Sequence, residues 1–165
     1  RHEFIIKIDN KIYRVDRNTC NEEGFKLFED FKCKLYEIFN IKKSNNLIDN
    51  INQWKQNKTA ENLQKAFSQI KNYYFYSPTR KNEQLEEIAI IKNLKGERLL
   101  PAFSSVNELQ KWMNVNTVKI KRFSFNQYAN LLLSDNINAV AIVIDPFGVN
   151  LILDKKVINY ILQLK

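Results

Sequence analysis

The stretch IDPFGVNLILD, residues 144–154, sets a carboxylate at the end of an unbroken apolar run and follows it with Pro146, Phe147 and Gly148. Catalytic acids often sit where a buried strand opens into a loop, so Asp145 is the first residue to weigh. A general acid needs a partner, and the one histidine, His2, lies at the far end of the chain. The turn chemistry is more specific. Asp at the first position of a type I turn bonds forward to backbone N–H groups, Pro fixes φ at the second, and Gly at the fourth tolerates positive φ. The sequence therefore predicts that Asp145, Pro146 and Gly148 turn the chain between two strands and that Asp145 does no chemistry.

Other reactive arrangements are missing. Gly24, Gly96 and Gly148 are too dispersed for a dinucleotide loop, a P-loop or a nucleophile elbow. Cys20 and Cys33 have no cysteine or histidine at zinc-ligand spacing. On a helix over 21–40 they stand about 20 Å apart, too far for a disulfide. Glu86 and Glu87 are adjacent on a strand and point to opposite faces. The expectation is no catalytic residue, no cofactor, no metal and no enzymatic activity.

Two features suit binding. In NYYFYSPTRK, residues 72–81, aromatics stand beside Arg80 and Lys81, so bases could stack on Tyr74 and Tyr76 while the cations hold phosphate. The preferred alternative is a strand that buries every second ring. In the strand over 117–123, Lys119 and Lys121 share a face and Arg122 follows them. At a sheet edge these lysines would deter strand-to-strand aggregation; in a central strand they would form a basic stripe.

The elements that must carry these residues follow from spacing. EFIIKIDNKIYRVD, residues 3–16, reads as a hairpin turning at Asp9-Asn10, with Phe4, Ile6 and Ile8 sharing a face with Tyr13 and Val15. A helix over 21–40, opened by a Thr19/Glu22 capping box, completes a ββα extension of residues 1–45, with a linker at 42–46. Leu47, Ile48, Ile51 and Trp54 line one helix; Leu63, Ala66, Phe67 and Ile70 line the next. A strand at 73–76 stops at Ser77-Pro78. Strands 87–92 and 97–103 meet around Gly96, with Pro101 placing the second at an edge or at its own end. Short helices begin at Ser105, Ser124 and Asp154, and 139–144 reads as a strand buried on both faces. The predicted fold is α+β: a single mixed sheet with helices on both faces over 47–165, preceded by the extension.

Composition bounds the setting. Hydrophobic residues at 44% and charged residues at 27% are ordinary for a globular chain, and no apolar run approaches the length of a membrane span. No leader pattern is present; the chain begins at Arg1, which fits a fragment or processed product with room for a leader or anchor upstream. Free thiols favour a reducing compartment, so a cytoplasmic location is expected. The net charge of +8 invites nucleic acid, an anionic surface or an acidic protein, although the lysines are spread along the chain.

LLPAFSSVNELQKW (99–112) and VIDPFGVNLILD (143–154) together resemble the SseB amino-terminal domain family, named for enhanced serine sensitivity. Leu99, Pro101, Ala102, Phe103, Ser104, Leu109 and Trp112 fit its first motif, and Pro146, Gly148, Leu151 and Leu153 its second. The resemblance covers about residues 47–165, leaves the extension unmatched, and departs from the often acidic members in charge. It implies a bacterial α/β domain without agreed catalytic residues, in an accessory, adaptor or immunity-like role near secretion or stress functions. The expected partner is another protein; nucleic acid, held by Arg80, Lys81, Lys119, Lys121 and Arg122, is the alternative. Phe103 and Trp112 are then core residues.

Overall fold

In a computed structural model the backbone is described over residues 3–8, 11–16, 42–81, 86–134 and 137–165. His2, the turn at Asp9-Asn10, Cys20, Cys33 and the expected helix over 21–40 lie outside the described residues. The chain divides into two compact units, Arg1–Lys42 and Lys43–Lys165. In the first, β1 (Glu3–Ile8) and β2 (Lys11–Asp16) pair antiparallel, with Phe4 opposite Val15 and Ile6 opposite Tyr13, the register a two-residue turn imposes.

The second unit begins on a helix, α1, described over residues 42–56. The expected linker at 42–46 is therefore helical. Ser44 explains it: only 3% exposed, its hydroxyl lies 2.9 Å from that of Ser104, so the segment is anchored rather than solvated. One turn on, Leu47 and Ile51 are fully buried. Helix α2 (Ala60–Lys71) starts at Thr59, whose hydroxyl accepts the Asn62 N–H, and buries Ala66, Phe67 and Ile70.

Two sheets follow where one was expected. The first has the order β4-β3-β7, from β3 (Tyr74–Lys81), β4 (Glu86–Ile88) and β7 (Lys119–Ser124), all antiparallel. The second has the order β5-β6-β8-β9, from β5 (Ile91–Lys92), β6 (Arg98–Ala102), β8 (Ala141–Ile144) and β9 (Leu151–Asp154); only β6 and β8 run parallel. The α+β class stands.

Prolines account for the split. Between β3 and β6 there is one antiparallel bridge, Tyr76 with Phe103, its two N–H···O bonds at 2.7 and 3.0 Å. Two residues along, the same register would set Pro78 opposite Pro101. Neither carries an N–H, so the ladder cannot continue. The segment expected as one strand over 87–92 crosses the gap: β4 pairs with β3, and β5 pairs with β6. Pro78 also fails to stop β3, contrary to expectation. Its carbonyl accepts from Ala89, away from β7, so its missing N–H takes nothing from the β3–β7 ladder. Pro101 lies within β6, beside β8, just past the last residue that β5 covers.

The hairpin around Gly96 forms as expected, with Gly96 at φ +78. Helix α3 (Val106–Gln110) is capped by Ser105, and α4 (Phe125–Leu133) by a full Ser124/Gln127 capping box. Helix α5 (Lys155–Gln163) is capped by Asp154. The main core joins Leu100, Ala102, Ile142, Ile144, Leu151 and Leu153 to buried residues of α1, α2, α4 and α5. The opposite side of the four-stranded sheet carries a separate small cluster, Leu99, Ala141 and Val143 with Ile91, to which no helix contributes. The expectation of helices on both faces is corrected accordingly: among the described residues α1, α2, α4 and α5 gather on one face of this sheet, and no helix joins the cluster on the other. That follows from local pattern, since the apolar stripes of α1, α2, α4 and α5 all meet the same alternate residues of β6, β8 and β9.

Candidate interaction face and the buried Asp145 network

Asp145 ends β8 with no exposed surface. Its Oδ1 accepts the Ser104 N–H at 2.7 Å and its Oδ2 the Ser104 hydroxyl at 2.6 Å. The backbone repeats the tie, because the Asp145 N–H donates to the Ala102 carbonyl at 3.0 Å. Tyr73 donates its hydroxyl to the Ser104 carbonyl at 2.7 Å. Ser104 is thus held from β8, α1 and the start of β3, and it in turn fixes the turn into α3. Burial pushes the Asp145 carboxyl up to about 6, against the lowering effect of the two Ser104 donors. Fully buried, this carboxyl fastens the end of β8 to the turn that leads into α3.

The loop after Asp145 is a turn by a different route from the expected one. The Gly148 N–H does donate to the Asp145 carbonyl at 2.9 Å, and Asn150 N–H joins it at 2.9 Å. The Asp145 side chain, however, reaches back to Ser104 rather than forward. Positive φ falls on Asp145 (φ 44) and Asn150 (φ 47), residue types that tolerate the left-handed region, and not on Gly148. Gly148 serves close approach: a Cβ there would lie 2.5 Å from Glu108 Oε2. That oxygen is buried without a hydrogen-bond partner, while Oε1 takes the Lys111 ammonium at 2.6 Å. The capping box that Ser105 and Glu108 could form is accordingly half made, with Ser105 accepting the Glu108 N–H at 3.2 Å. Gly148→Ala is expected to cost less than about 1 kcal/mol in urea unfolding, because Glu108 loses no bond at Oε2 when it swings outward.

The expected basic and aromatic residues are only partly brought together. Arg122 lies over the rings of both Tyr74 and Tyr76, 5.7 and 5.2 Å from their centroids. β7 is an edge strand in its sheet, and its register turns Lys119 and Lys121 to the same side as Phe75 and Phe123, opposite Arg122. The backbones of Arg80 and Lys81 pair with Glu87 and Glu86; their side chains lie outside those described. Phe103 is fully buried and stacks on Trp112 at 5.9 Å, and Pro146 is half-buried beside Phe147.

The feature that sequence spacing did not single out is the helix-free face of the four-stranded sheet. There a depression of about 540 Å³ has Leu99 and Val143 at its floor and Leu94, Phe147 and Ile152 exposed at its rim. Registers align the row: Ile91 opposite Leu99, and Val143 opposite Ile152. The buried network presents it, since Asp145 pins one end of the loop that carries Phe147. Lys55 of α1 donates to the Val149 carbonyl on the same loop. A signal was available in Leu151-Ile152-Leu153, where the outward position of an alternating strand is apolar instead of polar.

These elements build an α+β domain with a buried, hydrogen-bonded carboxyl and an apolar sheet face to which, among the described residues, no helix contributes. Among the described residues no three His, Cys, Asp or Glu side chains group to hold a metal, and no described helix is long and apolar enough to cross a membrane. The family model for the SseB protein N-terminal domain matches residues 49–159, and the chain belongs to that family. No curated protein and no solved structure matches it.

Proposed function

We propose that this domain is a non-catalytic protein-interaction module, an accessory, adaptor or immunity-like protein working in the cytoplasm, which engages its partner through the bare face of the four-stranded sheet. The observation that carries the proposal is the exposure of Phe147 and Ile152, 48% and 49%, around an apolar floor. The closure of Asp145 supports the absence of chemistry. The alternative, a nucleic-acid binder, draws on the Tyr74–Arg122–Tyr76 stack. It is less well supported, because Lys119 and Lys121 turn away from Arg122 and cannot extend that stack into one basic track.

The test is capture from the native host, with and without nuclease, using wild type and the Phe147→Asp/Ile152→Asp variant. Both positions are half-exposed, so unfolding stability should change by no more than about 1 kcal/mol. A protein partner that survives nuclease and is lost on the variant is the expected result. Recovery of nucleic acid alone, with affinity falling steeply with salt, would overturn the proposal in favour of the alternative.

A further inference from the structure

Parallel strands are ordinarily covered on both faces, because both of their faces are apolar. Here β6 and β8 run parallel, every residue of β8 is buried, and Leu99 and Val143, 5% and 1% exposed, face away from all the described helices. The apolar row on that face runs across strands, from Ile91 to Leu99 and from Val143 to Ile152, rather than along one edge. An added strand would pair with one edge only, β5 or β9, and leave the rest of the row uncovered. A helix laid across the sheet would cover the whole row.

Charge narrows the occupant further. Lys92 and Lys95 stand exposed on the margin of the depression. The one acidic residue lining it, Glu97, already accepts from the Asn93 side-chain amide at 2.7 Å. The margin is therefore net positive, as is the chain at +8, and two copies meeting face to face would oppose like charges. We infer that this face takes an amphipathic helix of a partner protein, its apolar stripe against the exposed Phe147 and Ile152 above the Leu99 and Val143 floor, and its acidic flank against Lys92 and Lys95. The inference rests on the interaction reading above and names the partner's chemistry.

Two labelled synthetic peptides of about 20 residues test it, long enough to hold a helix. Both carry leucine at i, i+3, i+4 and i+7; one is flanked by glutamates and the other by lysines. By fluorescence anisotropy with the full chain, the glutamate peptide should bind about 10-fold more tightly, on the scale of two exposed charge contacts. Lys92→Glu/Lys95→Glu should invert that preference. The matched reversal Lys156→Glu/Lys165→Glu, on the exposed surface of α5 and the segment after it, should leave it in place. Ile152→Asp should weaken both peptides. Equal affinities for the two peptides, or a preference that responds alike to both reversals, would overturn the inference. So would a dimer in sedimentation that Ile152→Asp dissolves, since the occupant would then be a second copy. If neither peptide binds while capture from the host still depends on Phe147 and Ile152, the helix assignment fails and the interaction reading survives. If that capture is itself insensitive to the two substitutions, the interaction reading fails.

Discussion

Between pH 3.8 and about 6 the wild-type domain should lose about 3 kcal/mol of stability relative to its Asp145→Asn variant. The direction is opposite to that of a carboxylate in a surface ion pair. Burial raises the Asp145 carboxyl, and the neighbouring charge of Glu108 raises it further, while the Ser104 hydroxyl and N–H and the Lys111 ammonium lower it. Across this window the folded chain keeps a proton that the unfolded chain has already released. The contribution is thus complete below pH 3.8 and disappears as pH rises through about 6. Asparagine preserves the geometry: its carbonyl accepts the Ser104 N–H, its amide donates to the Ser104 hydroxyl, and that hydroxyl turns its proton toward Ser44, 2.9 Å away. It also tolerates φ 44 at this position. Urea unfolding followed by tryptophan fluorescence is the measurement. The two tryptophans, Trp54 and Trp112, both lie in the Lys43–Lys165 unit, so the signal reports that unit alone. Parallel stability curves for the two proteins would mean that the carboxyl is solvated in solution.

The same network shows which kinds of statement a sequence supports. Contacts set by local spacing were legible: the caps at Ser105, Ser124 and Asp154, the apolar stripes of α1, α2, α4 and α5, and the hairpin at Gly96 all follow from residues within one or two turns. Asp145 was legible as a turn and illegible as a tether, because its partner Ser104 is 41 residues away and nothing in either neighbourhood announces the pairing. The split of the sheet was half legible. Each proline marks its own strand, but that Pro78 and Pro101 would meet depends on the long-range register set by Tyr76 and Phe103. The linker was misread because Lys42, Lys43, Asn45 and Asn46 dominate its composition, while its single buried hydroxyl, Ser44, decides its structure. The helix-free face is a property of which described elements do not pack on it. Apolar patterning records that a residue avoids water, and it does not record whether the cover comes from this chain or from another.

Phe103→Ala is expected to lower the unfolding free energy of the larger unit by about 3 to 5 kcal/mol. The side chain is fully buried, and its ring stacks on Trp112 at 5.9 Å with 26° between the planes. Truncation removes both the transfer energy of the ring and the contacts its neighbours make with it, and the surrounding backbone has little freedom to collapse into the space. That backbone is constrained from two sides. Phe103 exchanges both hydrogen bonds with Tyr76 of β3, and the adjoining Ser104 is held by Asp145. The substitution therefore strikes the bridge between the two sheets as well as a core position. If the sheets behave as one cooperative unit, tryptophan fluorescence should show one transition at lower urea, and amide exchange should accelerate in β3 and β6 together. Phe103→Leu, which keeps most of the volume, should recover more than half of the loss. A cost under about 1 kcal/mol would show that the site repacks freely. Acceleration confined to β6 would show instead that the prolines have divided the unit energetically as well as geometrically. The bare face would then belong to a sheet able to move independently of the β4-β3-β7 sheet.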